Sequence, residues 1–188
     1  KWPACRLQPT GLVMDQPFVR ALYVYPIKSM GSVELSSARL GDRGLEHDRR
    51  WMLVDDKGCF LSQRQHPAMA RMRVALQSDH LDVSVPGQGA VQVPLTEPDQ
   101  AGELAVRIWN DTCTARTVGG DSDRWFSEYL GLSCRLVYMP DETLRQVRAP
   151  YGLNDRDRVG FADSFPYLMI SEASLDALNR KLDGKISE

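Results

Sequence analysis

Two short segments hold the residues best equipped for chemistry. Tyr25-Pro26-Ile27-Lys28-Ser29-Met30 follows an apolar, strand-like run, and Asp48-Arg49-Arg50-Trp51 comes later. In the first, an X-Pro kink leaves an ammonium and a hydroxyl at the mouth of a strand. In the second, arginines stand where a new strand opens. A point-charge ammonium, a hydroxyl and a planar guanidinium fork together suit an anion, a phosphate above all. Lys28 and Ser29 are therefore candidate anion contacts. Their bland alternatives are a surface lysine at a strand end and a simple serine turn. Arg49 and Arg50 adjoin, so strand alternation sends them to opposite sides and at most one faces the site. The alternative for Arg49 is an ion pair with Glu46 or Asp48. Trp51 reads as core rather than as a stacking platform, because its strand is apolar throughout.

Short strands must position these residues. Residues 18–25 are aromatic and β-branched, and residues 32–40 alternate weakly. Trp51-Met52-Leu53-Val54 is apolar at every position, the mark of a strand buried on both faces. Asp55-Asp56-Lys57-Gly58 turns the chain into Cys59-Phe60-Leu61. Alternating apolar residues then recur at Met72, Val74 and Leu76, at Leu81, Val83 and Val85, at Val91, Val93 and Leu95, and at Leu104, Val106 and Ile108. Residues 112–118 follow the Asn110-Asp111 turn. Strands at this spacing predict a sandwich or barrel. A helix is expected from a cap at Ser122 to Gly131, and residues 134–139 return as a strand.

The character changes after Pro140. Residues 141–160 read as a charged loop in which Arg145, Arg148, Arg156 and Arg158 are solvated, with a lid as the second choice. Residues 165–170 read as a buried strand. Ser171 caps a helix with Leu175, Leu178 and Leu182 on one face, ending near Gly184. The fold class is thus mainly β with some helix (α+β). Residues 1–17 are a leader or linker, residues 18–140 a first barrel, and residues 141–188 a loop and the opening of a second unit.

Composition narrows the function. The 188 residues are 43% hydrophobic and 26% charged, as in ordinary globular domains. A net charge of −2 argues against general attraction to nucleic acid. No apolar run reaches the length of a membrane span. Cys5, Cys59, Cys113 and Cys134 have no C-x-x-C spacing and read as free thiols. His47, His66 and His80 are too scattered to suggest a metal set. No Walker loop or G-x-G-x-x-G supports nucleotide binding.

The two opening segments, together with Gly44-Leu45-Glu46-His47 before the arginines and Met52-Leu53-Val54 after Trp51, Leu61-Ser62-Gln63-Arg64-Gln65-His66-Pro67, and Phe161-Ala162-Asp163-Ser164-Phe165-Pro166-Tyr167-Leu168-Met169-Ile170-Ser171-Glu172-Ala173-Ser174-Leu175, resemble the MOSC family, named for the C-terminal domain of molybdenum-cofactor sulfurase. Within it the chain is most similar to the branch of YcbX-type proteins and the mitochondrial amidoxime-reducing component. The resemblance implies an N-terminal β-barrel subdomain followed by the start of the MOSC β-barrel domain, truncated in these residues. It implies binding of the molybdenum cofactor, a pterin dithiolene bearing a phosphate, through Lys28, Ser29, Arg49 and Ser164. Phe165 lacks the hydroxyl that relatives place nearby, and Gln63-Arg64-Gln65 falls at a structural or rim position. The family's molybdenum-ligating cysteine lies beyond an R-F-R-P-N segment. Neither occurs here, so no cysteine is assigned to the metal and no catalytic residue lies in this chain.

The function implied for the intact protein is reduction of a small N-hydroxylated substrate by oxo transfer, with electrons from a flavin or iron–sulfur partner. The alternatives are a non-catalytic cofactor- or partner-binding barrel and a sulfur-carrier domain of a sulfurase. The implied location is cytoplasmic, or mitochondrial in a eukaryote.

Overall fold

The computed structural model describes residues 17–97, 101–147, 151–152 and 154–182, with the backbone of residues 4–6. The architecture is the expected mainly β arrangement, with two α-helices among the described residues. Strand β1 (Ala4–Arg6), inside the segment read as a leader, pairs with β4 (Ser37–Gly41), which hairpins into β5 (Gly44–Leu45). The strand expected over residues 18–25 is only β2 (Tyr23–Val24), paired with β3 (Val33–Glu34).

The scaffold of the candidate site is the antiparallel sheet β10-β11-β12-β6, built from Glu103–Ile108, Asp111–Thr117, Arg135–Tyr138 and Trp51–Val54. Its two edges are joined by the segment that follows the Asp55-Gly58 turn. Phe60 bridges to Val54 on one side, and Cys59 bridges to Arg107 on the other. Gly58 makes this closure possible. Its φ is +74°, and a Cβ there would lie 2.5 Å from the Ala105 carbonyl oxygen.

Period-two alternation assigns the central strands to two cores. Met52, Val54, Val137 and Met139 face a cluster with Val106, Ile108, Ala115 and Phe161. Trp51, Leu53, Leu136 and Tyr138 face the other way. They meet Phe126 of helix α1 (Gly120–Leu130) and the sheet β7-β8-β9, made of Arg73–Leu76, His80–Ser84 and Ala90–Pro94. The reading of Trp51–Val54 as buried on both faces is correct at every position.

Three local expectations are corrected. Ser122 is not the cap of α1: Gly119 holds that position, and Ser122 is buried in the first turn. The helix does end at Gly131, which has φ +66°. Residues 165–170 form no strand; Leu168 is 81% and Met169 92% exposed. Gly44 of β5 approaches the Pro166 backbone, but no backbone hydrogen bond ties these residues to a described strand, so hydrophobicity alone does not make them β. Helix α2 (Glu172–Lys181) is capped by Ser171, whose hydroxyl accepts from the Ser174 N–H at 3.1 Å, as expected. It buries no residue among those described, and Gly184 lies outside them.

Arg145 is the third correction. It is buried, not solvated. Its guanidinium donates to the carbonyls of Gly160 and Ala162 at 2.7 and 2.6 Å and to Asp111 at 2.8 Å. It thereby draws residues 159–162 inward, where Phe161 fills the barrel core. A charge run in sequence cannot reveal a ring of carbonyls supplied by a later loop. Arg148 lies outside the described residues.

Candidate functional site

The two motif segments lie side by side. Tyr25 N–H donates to Asp48 Oδ1 at 2.8 Å, Arg49 N–H to the Tyr25 carbonyl at 2.8 Å, and Trp51 N–H to the Pro26 carbonyl at 3.1 Å. Lys28 N–H then donates to the Trp51 carbonyl at 2.9 Å, and Ile27 and Trp51 form a parallel bridge. The X-Pro segment therefore runs as an extra strand against the start of β6. Gly160 closes the frame from above. A Cβ there would meet the Arg49 carbonyl oxygen at 2.8 Å, and Phe161 N–H donates to that same oxygen.

Lys28 is not a surface lysine: only 6% of it is exposed. Its ammonium reaches Asp163 Oδ1 at 2.5 Å and lies 5.1 Å from the Phe60 ring centre. Burial pulls the ammonium below the usual lysine range. Asp163 opposes that shift, and the charges of Arg145 and Arg49 reinforce it. The Asp163 carboxyl feels burial upward, but the Lys28 contact, the Trp109 indole and Arg64 outweigh it and hold the group below its ordinary value. Trp109 donates its indole N–H to Asp163 at 3.0 Å, packs edge-on to Phe60, and carries the Arg64 guanidinium over its ring. Arg64 is thus at the rim.

Arg49 sits beside this cluster at φ +46°, with its guanidinium on Asp48 and over the Tyr25 ring. The ion pair with Asp48 weighed from the sequence is present. Asp48 is buried, and burial raises its carboxyl pKa against the pull of Arg49 and the Tyr25 N–H. Arg50 turns the other way, to Met139, Tyr138 and Asp141; β6 begins only at Trp51 and Arg49 has a positive φ, so the turn and not strand alternation separates the two arginines. Trp51 is core.

Ser29 is half-buried at φ +66°, and its hydroxyl has no hydrogen-bond partner among the described residues. Ser164 is half-buried and directly follows Asp163, so the fold carries it to the Lys28 neighbourhood. Phe165 packs edge-on against Tyr151 instead. Asp163, Trp109 and Phe60 are the site neighbours that sequence reasoning missed. The positive φ of Trp109, +54° in the turn between β10 and β11, is a tertiary feature with no glycine to signal it. Cys59, Cys113 and Cys134 are free thiols. No helix among the described residues is long and apolar enough to cross a membrane.

The model of the MOSC N-terminal beta barrel domain family matches residues 16–133. Mitochondrial amidoxime-reducing component 1 of Mus musculus is 30% identical over 190 residues, covering 96% of this chain and 54% of that protein. Molybdenum cofactor sulfurase of Danio rerio is 30% identical over 159 residues, covering 82% of this chain and 19% of that protein. A Bordetella bronchiseptica protein solved in solution superposes with a TM-score of 0.51 at 25% identity, over 63% of this chain and 89% of that one. The chain thus spans about half the length, or less, of the curated relatives it matches.

Proposed function

The chain belongs to the MOSC N-terminal beta barrel domain family, and from that premise we propose that it grips the phosphate-bearing pterin of a molybdenum cofactor. The observation that carries this reading is the buried Lys28 ammonium, which already accommodates an anionic oxygen from an exposed side chain; the next residue, Ser29, has a hydroxyl without a hydrogen-bond partner among the described residues. A phosphate oxygen suits the same ammonium, with Ser29 and Ser164 donating hydroxyls beside it. Arg49 offers a planar fork to the anion or to a pterin edge. The residues present therefore fit the group. When bound, the cofactor supplies oxo-transfer chemistry able to take oxygen from an N–O bond. The chain's own part is to bind and orient it. An anion at Lys28 would take the place of the Asp163 oxygen, to which the Trp109 indole also donates.

In the intact protein this reading makes the substrate a small N-hydroxylated compound and the electron source a flavin or iron–sulfur partner, in the cytoplasm or, in a eukaryote, the mitochondrion. Similarity to an amidoxime-reducing component supports it. Similarity to a sulfurase favours a second reading, a barrel that serves cofactor sulfuration without reducing a substrate. Metal analysis of the full-length protein is the test. Lys28→Ala and Arg49→Ala are each expected to lower molybdenum content. Normal content in both variants removes these residues from the site.

A further inference from the structure

We infer that the cleft between the β4–β5 hairpin and the end of β12 is a second oxyanion site, fitted to a phosphorylated small molecule. Its volume is about 590 Å3, within the range of pockets that enclose small ligands. Four guanidiniums line it, those of Arg39, Arg43, Arg50 and Arg158. Three carboxylates also line it, but they do not match these charges one for one. Glu46 pairs with Arg39, at the exposed edge. Asp42 is exposed and makes no ion pair with a described residue. Asp141 alone serves both inner guanidiniums, 2.7 Å from Arg50 and 3.7 Å from Arg43.

The inner cations are held for the purpose of meeting an anion. Arg50 donates to the Met139 carbonyl and the Tyr138 hydroxyl and lies 4.9 Å over the Tyr138 ring. Arg43 is buried and donates to the carbonyls of Asp141 and Thr143 at 2.8 and 2.6 Å. Its Nε is buried with no hydrogen-bond partner among the described residues. Arg158 has no side-chain partner among the described residues. Burial, and then the like charge of Arg50, push the Arg43 guanidinium below its usual range; Arg158 adds to that, and Asp141 and Asp42 oppose it without cancelling it. Positive charge is therefore in excess at the inner end, and the group that relieves it is the carboxylate of a side chain 80% exposed to solvent. That oxygen marks where a phosphate oxygen takes over, since a guanidinium fork binds both in the same geometry. The cleft is separate from the Lys28 cluster. Arg50 points away from Arg49, and Lys28 does not line it.

Calorimetric titration of inorganic pyrophosphate at fixed ionic strength tests this in the protein and in a Lys28→Met background, which removes the buried ammonium of the other site. Binding is expected to survive Lys28→Met. In that background Arg158→Ala should weaken it severalfold, and Asp141→Asn, which removes the resident competitor, should tighten it severalfold. Arg158 lacks polar partners among the described residues, so its removal does not threaten the fold. Loss of all binding in Lys28→Met overturns the second site, as does an unchanged isotherm in both cleft variants. Neither result bears on molybdenum content, so the proposal fails or stands apart from the cofactor reading.

Discussion

Lys28 Nζ and Asp163 Oδ1 lie 2.5 Å apart although 135 positions separate them in the chain. The ammonium is buried and the carboxylate is largely exposed, so the pair is asymmetric. Water can compensate Asp163 but not Lys28. The Asp163 loop is therefore the removable half of the pair, while the lysine belongs to the barrel.

Asp163→Asn should destabilise the fold by about 1–3 kcal/mol, because it leaves a buried cation without its counter-charge. Adding Lys28→Met to that variant should recover part of the loss. Urea denaturation at neutral pH measures both. A single variant as stable as the parent would mean that the ammonium finds another partner.

His47 makes stability pH-dependent. Burial, the largest influence, and Arg50 depress its pKa below 6.5, with Glu46 opposing. As pH falls through 6.5 the unfolded chain takes up the proton first, so stability drops until the lower folded-state pKa is passed. His47→Asn keeps a residue that tolerates φ +67° and removes the titration. Chemical denaturation between pH 7 and pH 5 should show a shallower decline in the variant; parallel curves would sink the idea.

Gly58→Ala tests the closure between β6 and β10. The added Cβ meets backbone at 2.5 Å, and the φ is positive. A loss of at least about 2 kcal/mol is expected from strain combined with the broken bridge. Thermal unfolding followed by circular dichroism reads it directly.

Phe161→Ala should cost about 3–5 kcal/mol, the range for emptying a packed aromatic site. Phe161 is fully buried among strands that precede it by many residues. A cost below about 1 kcal/mol would show that residues beyond β12 dock loosely rather than completing the core.

Much of this molecule is written locally. Trp51–Val54 is apolar at each position because it separates two cores, and that pattern is visible without coordinates. Gly131 and Ser171 mark helix ends through backbone sterics and a hydroxyl acceptor, which need no distant partner. Lys28, Ser29 and Arg49 stand out for the same reason: their chemistry is carried by residue type, and for the first two by the nearby Pro26. What the lysine touches was not legible. A charged loop and a solvated one have the same composition, so neither the burial of Arg145 nor the arrival of Asp163 could be read from it. Residues 165–170 mislead in the opposite sense, since an apolar run states a need for burial and not whether a neighbour meets it. The sequence alone determined the strands from β6 to β12, their faces and the cation-bearing segments, because periodicity and side-chain chemistry act over a few residues. The tertiary structure alone decided which carboxylate meets which cation, because that depends on where the chain returns after more than a hundred residues.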